Sequence, residues 1–346
     1  MTHDLIAGSF MAREVAEIPQ AAARFLALSK SAVAEAARAL RATDPGLFVT
    51  IARGSSDHAA TYLKYCIELA AGVPVASVGP SIASIYGCEL RLKGAACIGI
   101  SQSGRSPDIV EMMRAAGAGG ALTIAITNFA DAPMAAVSAH CLPLQAGAEL
   151  SVAATKTFVS SALAGLSLLA EWREDAALRA AVNALPEAFE QALHLDWAPL
   201  AARLSRAQSL YVLGRGPAFA IACEAALKFK ETCGLHAESY SAAEVLHGPA
   251  AIVQARFPVF ALGVEDAALP QLIATAERLA AQGADVFLTG GLAKGAVTLP
   301  SVTGLHPLVA PLALIVGFYG FIEALARRRG FDPDTPPHLR KVTETL

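Results

Sequence analysis

Charge is scarce in this chain. Only 16% of its 346 residues are charged, and 27 basic against 30 acidic side chains leave a formal net charge of −3. That balance offers no basic field for nucleic acid or for an anionic membrane surface. An anionic ligand must therefore be met by local chemistry. The six cysteines (Cys66, Cys88, Cys97, Cys141, Cys223 and Cys233) contain no C-x-x-C pair and no His/Cys cluster at metal spacing. Neither a zinc site nor any other metal site is expected, and thiols set in apolar runs suit a reducing cytoplasm. Met1-Thr-His-Asp4 lacks the basic start and apolar centre of a signal peptide. The longest apolar run, 307–322, carries two prolines and falls short of the roughly 18–20 residues a membrane helix needs, so it reads as a buried helix.

What is present is apolar material. Hydrophobic residues make up 54% of the chain, enough for large cores and incompatible with a disordered polypeptide. The length suggests two domains. Residues 8–43 show helical periodicity broken near Pro19, with Met11, Val15 and Ile18 on one stripe and Val33, Ala37 and Leu40 on another. Asp44-Pro-Gly46 stops that pattern. Strand-like runs then follow at 47–52, 73–78, 95–100, 122–127 and 140–144, alternating with helical stretches. This alternation predicts an α/β fold with a parallel sheet covered on both faces.

The pattern repeats. Ala52-Arg53-Gly54 aligns with Gly214-Arg215-Gly216 at an offset of 162, which also carries Gly72 onto Gly234 without a gap. Two α/β units of one ancestry follow from this. The boundaries read as an N-terminal helical segment 1–46, a first domain 47–172, a helical linker 173–207, a second domain 208–328 and a tail 329–346. The repeat is unequal. Where the first half has Ile100-Ser-Gln-Ser-Gly-Arg-Ser106, the second has Ala261-Leu-Gly-Val-Glu-Asp-Ala267, whose acids would repel a phosphate. One phosphate site per chain is expected.

That site centres on Ser101, Gln102, Ser103, Gly104, Arg105 and Ser106. Hydroxyls, backbone N–H groups and a glycine at a strand-to-helix turn suit a phosphate, and the helix N-terminus adds partial positive charge. Ser55 and Ser56 follow the first strand, where open parallel sheets bind ligands; an ordinary helix cap also explains them. Thr155 and Lys156 open a further helix and could face the same ligand. In the second half, Glu224, Lys228 and Glu231 fall at i, i+4 and i+7 on one helix face. Such charges are surface ion pairs if exposed, and candidate acid–base groups if the face packs on the sheet. The stretch His236-Ala-Glu-Ser-Tyr-Ser-Ala-Ala-Glu-Val-Leu-His247-Gly-Pro249 is dense in titratable groups, with His247 at a chain reversal. The Pro-rich tail reads as disordered by default, yet it carries Lys341, which could form a Schiff base with a carbonyl substrate.

These motifs, in this order, resemble the tandem sugar-isomerase (SIS) domain proteins, above all the isomerase half of glucosamine-6-phosphate synthase and its stand-alone deaminase relatives. The resemblance runs from Met11-Ala-Arg-Glu-Val-Ala-Glu-Ile-Pro19 to the C-terminus. It rests on Ser101-Gln-Ser-Gly104, Val152-Ala-Ala-Thr-Lys156, Glu224-Ala-Ala-Leu-Lys-Phe-Lys-Glu231, His236-Ala-Glu-Ser-Tyr240, His247-Gly-Pro249 and Lys341. It implies two SIS domains, each a three-layer αβα sandwich around a parallel sheet. It implies that Ser55, Ser56, Ser101, Gln102, Ser103 and Ser106 hold a sugar phosphate, with Ala153, Ala154 and Thr155 beside it. Glu231 would move a proton between carbons 1 and 2, while Glu224 and Lys228 line the pocket. His247 would assist ring opening from a neighbouring subunit, making a homodimer with shared sites, and Lys341 would engage the open-chain sugar.

Three departures from the synthase matter. Its glutaminase domain is not among these residues, Leu246 replaces a lysine, and Arg105 replaces a glutamate. The wording Ser151-Val-Ala-Ala-Thr-Lys-Thr157 is similar to the deaminase branch. The expectation is a glucosamine-6-phosphate deaminase that yields fructose 6-phosphate and ammonia with no metal or organic cofactor. Alternatives are a galactosamine-6-phosphate deaminase/isomerase, another phosphosugar aldose–ketose isomerase, and a non-catalytic sugar-phosphate sensor.

Overall fold

The computed structural model describes residues 8–339 and Lys341. The chain divides into two compact units. One comprises residues 18–149 and 156–186; the other comprises 8–17, 150–155 and 187–341.

The first unit is built on five parallel strands, β1 (Phe48–Ile51), β2 (Val75–Ser77), β3 (Ala96–Ile100), β4 (Leu122–Thr127) and β5 (His140–Pro143). Their order is β2-β1-β3-β4-β5. All but the outermost are apolar and buried, as strands covered on both faces must be. Val49, Ile51, Cys97 and Ala125 pack on one face against Ile109, Met112, Met113 and Ala116 of the helix Pro107–Ala118. On the other face Phe48 meets Trp172, ring centroids 5.1 Å apart, at the end of the buried helix Lys156–Trp172. The N-terminal helical stretch breaks twice. Pro19 lies at the second position of the helix Ile18–Leu28, where its missing N–H costs nothing. Ser29 separates it from Lys30–Thr43, and the Ser29 hydroxyl donates to the Pro143 carbonyl, 2.7 Å away.

The second unit repeats the plan with β6 (Ser209–Gly214), β7 (His236–Ser241), β8 (Pro258–Ala261), β9 (Asp285–Leu288) and β10 (Val297–Thr298), ordered β10-β9-β8-β6-β7. Tyr211, Leu213, Val259, Ala261, Val286 and Leu288 face Leu272, Ala276 and Leu279 of the helix Leu269–Ala281. Behind them Phe260 stacks on Phe318, and Phe318 meets Phe229 edge-on. Phe318 belongs to the helix Ala310–Arg328, which is long and apolar enough by composition to cross a membrane, yet most of it is buried inside this unit.

Duplication shows in the backbone. Gly54 (φ 56, ψ −132) and Gly216 (φ 57, ψ −138) cap the helices Ser55–Ala71 and Pro217–Cys233. Each helix has 17 residues and ends on a left-handed glycine, Gly72 or Gly234. Only glycine takes these positive φ values at little cost. In each unit the strand order reverses between the first and third strands, the place where open parallel sheets bind ligands.

The described part of the tail is anchored at Asp334. Val152 N–H donates to the Asp334 carbonyl at 3.1 Å, and the Asp334 carboxylate accepts the N–H groups of Phe10 and Met11 at 2.7 and 2.8 Å. It thereby serves donors that the helix Phe10–Ala16 cannot satisfy internally.

Candidate functional site

In the first unit the residues singled out for phosphate lie on loops leaving β1 and β3, the adjacent strands of the switch point. The Ser101–Ser106 loop is held by its own backbone. Ser101 N–H donates to the Ile126 carbonyl, Asn128 N–H to the Gln102 carbonyl and Met134 N–H to the Gly104 carbonyl, all near 3 Å. The Ser101 hydroxyl, largely buried, accepts Gly104 N–H at 3.2 Å, and the Ser103 hydroxyl accepts Arg105 N–H at 3.3 Å. Gly104 is required here: at φ 61 its place for a Cβ lies 2.7 Å from the Ala132 Cβ and 2.8 Å from the Thr127 hydroxyl. Ser106 occupies the N-cap of Pro107–Ala118 without capping it through its side chain. Ser55 and Ser56 open the helix Ser55–Ala71. The arrangement is a cradle of hydroxyls and helix N-termini with the chemistry of an anion site. Arg105 is exposed, its guanidinium 6.0 Å from the Phe129 ring centre. Beneath the loop, buried Asp108 is paired with Arg53 at 2.5 Å.

Lys156 departs from the solvated lysine usual at a helix start. It is buried, and its Nζ donates to the Ala148 carbonyl at 2.7 Å. Ala153, Ala154 and Thr155 fall in the second unit.

In that second unit Glu224 and Lys228 are completely buried, and Glu231 is 20% exposed. Of the two readings open in the sequence, surface ion pairs are excluded. Lys228 Nζ stands 2.5 Å from Glu231 Oε2 and 3.2 Å from Glu224 Oε1. Burial disfavours the ammonium, but the two carboxylates outweigh it and hold Lys228 above the usual lysine pKa. The Tyr319 hydroxyl donates to Glu224 Oε1 at 3.1 Å. This partner was not legible in sequence, since it lies 95 residues away inside an apolar helix. The row can present one carboxylate to a ligand while a buried cation compensates its charge.

Elsewhere in the unit, His247 is exposed at the end of a 3-10 turn, before Gly248 with φ 141. Lys341 donates to the Ser151 carbonyl at 2.7 Å. At the second switch point Asp266 accepts the N–H groups of Ala268 and Leu269, and burial raises its pKa against those bonds.

Two doubly wound α/β units, one with a hydroxyl-lined loop at its switch point and one with a buried acid–base row, define a duplicated α/β protein. The chain belongs to the SIS domain family, whose profile matches residues 46–170 and 203–290. It is 54% identical to a crystallised protein from Silicibacter pomeroyi DSS-3 provisionally designated a phosphosugar isomerase. That match covers 94% of this chain and all of the other, with a TM-score of 0.91. It is 35% identical, over 317 aligned residues, to the glutamine–fructose-6-phosphate aminotransferase (isomerizing) of Halobacterium salinarum. There the match takes in 84% of this chain but 50% of the relative, so the chain spans about half the length of that protein. The glucosamine-6-phosphate deaminase of Thermotoga maritima shares the fold, with a TM-score of 0.76 at 20% identity, covering 97% of this chain and all of that one.

Proposed function

We propose that this chain is an aldose–ketose isomerase of a phosphorylated sugar. The observation that carries the reading is the Glu224–Lys228–Glu231 row, in which a partly exposed carboxylate is backed by a fully buried lysine. The serine loop of the first unit, with Ser55 and Ser56, binds the phosphate and thereby fixes the sugar. Ala153, Ala154 and Thr155 add backbone and hydroxyl contacts. His247 opens the sugar ring and Lys341 engages the open-chain carbonyl. Glu231 takes the proton from carbon 2 and returns it to carbon 1, so that one carboxylate serves as base and then as acid.

The amino sugar phosphate is the substrate we favour, because the Halobacterium relative is named for aminotransfer to fructose 6-phosphate. With an amino group on carbon 2, the proton shift converts the aldehyde at carbon 1 to a hydroxymethyl group and leaves an imine at carbon 2. Water adds to that imine and expels ammonia, giving the ketose phosphate. No external oxidant or reductant is consumed. Assembly as a cytoplasmic homodimer, with His247 reaching the partner's site, belongs to the same proposal.

The test is turnover of glucosamine 6-phosphate, galactosamine 6-phosphate and glucose 6-phosphate, with ammonia and ketose phosphate measured together. Ammonia matched by fructose 6-phosphate from the first sugar is expected. Release from the second sugar alone keeps the mechanism and changes the substrate, and ketose without ammonia leaves a plain isomerase. Glu231→Gln is expected to keep sugar-phosphate affinity and lose about 10²–10⁴-fold in kcat. Unimpaired turnover in that variant refutes Glu231 as the base. Binding without turnover of any sugar by the unaltered chain refutes the enzymatic reading in favour of a sensor.

A further inference from the structure

A buried carboxylate next to an anion-binding loop needs an explanation. Asp108 lies two residues beyond Ser106, in the first turn of Pro107–Ala118, and is 1% exposed. A like charge there works against a phosphate held on the same turn. The Asp108 Oδ2 atom receives both Nε and Nη2 of Arg53 at 2.5 Å, while Oδ1 accepts the N–H of Ile109 at 2.9 Å. Arg53 directly precedes Gly54, at the exit of β1. The ion pair therefore joins the turn carrying Ser55 and Ser56 to the helix that follows the Ser101–Ser106 loop. The repeat supplies a comparison. Arg215, the counterpart of Arg53, bonds instead to the Ser241 hydroxyl at 3.2 Å, in the unit whose loop carries Glu265 and Asp266. The arginine–aspartate pair thus accompanies the hydroxyl-lined loop.

We infer that Arg53 is a positioning residue of the phosphate cradle, one that cancels the Asp108 charge without itself ligating the phosphate. The inference rests on the phosphate reading above. Charge balance has a consequence that ordinary structural support does not share. Neutralising Asp108 alone leaves the Arg53 charge uncompensated beside the anion, so binding tightens.

The experiment is calorimetric titration of the full chain with inorganic phosphate and with glucosamine 6-phosphate, alongside thermal melts. Arg53→Ala is expected to weaken both ligands about tenfold or more, and Asp108→Asn to tighten them about two- to fivefold. The combined variant should return to within about threefold of the unaltered chain, because neither charge remains. A combined variant as weak as Arg53→Ala overturns the inference, since Arg53 would then be a direct ligand or a mere brace. Should Arg53→Ala fail to fold, Asp108→Asn decides alone: unchanged or weaker binding overturns the inference. An unaltered chain that binds neither probe refutes the phosphate reading itself, and this inference with it. Normal binding by the unaltered chain with no gain in Asp108→Asn refutes this inference only.

Discussion

Lys228→Met is the most demanding perturbation of the acid–base row. The methionine has similar reach and no charge, so the packing of Pro217–Cys233 is retained while the cation is lost. Glu224 is then a carboxylate with no exposure, and Glu231, at 20%, keeps some access to water. Breaking a buried pair from one side costs roughly 3–5 kcal/mol. Because Tyr319 still donates to Glu224, we place the loss at the lower end, about 3 kcal/mol. Adding Glu224→Gln removes the stranded charge and should recover about 2 kcal/mol, a coupling well above the error of a double-mutant cycle. The chain has two units, and a single global transition is not assumed. Trp172 lies in the first unit and Trp197 in the second, so denaturant unfolding followed by fluorescence in a Trp172→Phe background reports the second unit. The pH dependence gives a further check. Lys228 has a folded pKa above its reference of 10.5, so its stabilisation is fully present below that reference and is lost as pH rises through the folded value. The unaltered chain should lose this contribution in strong alkali, and Lys228→Met should lack that limb. In the variant a stranded carboxyl with a raised folded pKa is most favourable at low pH, so its deficit should be smaller at pH 5 than at pH 8. A cost below about 1 kcal/mol, or no recovery with Glu224→Gln, refutes the reasoning.

Two further outcomes follow from other parts of the chain. Gly104→Ala combines a left-handed backbone with contacts inside 3 Å; the first costs about 1–2 kcal/mol and the second about 1–3 kcal/mol. The first unit should melt earlier and bind phosphate more weakly, and an unchanged melt would show that the loop moves freely to accommodate a methyl group. Burial pushes the thiols of Cys66 and Cys97 up to about 12 and that of Cys233 to about 11, while Cys88 is exposed. A thiol reagent at pH 8 should therefore label Cys88 rapidly and these three only on unfolding; a fast phase surviving the combined replacement of Cys88 and the half-buried Cys141 and Cys223 by serine would contradict the described burial.

How much of this was legible in the sequence varied with the range of the interaction. The strand read at 122–127 is Leu122–Thr127 in the structure, and the other four of the first unit fall within two residues of their predicted limits. Apolar runs buried on both faces announce themselves without reference to their neighbours. The break at Ser29 was not legible, because its hydroxyl is satisfied by Pro143, 114 residues away. The tail looked disordered by composition, yet Asp334 serves the N–H groups at the start of Phe10–Ala16, more than 320 residues distant. Helical spacing placed Glu224, Lys228 and Glu231 on one face but left open whether that face was wet. Phe229 against Phe318, and Tyr319 on Glu224, show why it is largely dry.

The duplication separates scaffold from chemistry. Gly54 and Gly216 have nearly identical dihedrals, and both units have the same strand order, so the two switch points share a backbone plan. Their side chains diverge. One presents Ser101, Ser103 and Ser106 beside an arginine-neutralised aspartate; the other presents Asp266 with its carboxylate already occupied by the N–H groups of Ala268 and Leu269. Were the proposed phosphate site a matter of backbone alone, both places would be one. What distinguishes them is a few hydroxyls and the sign of the local charge, and such differences can be read from sequence only because the repeat supplies its own internal control.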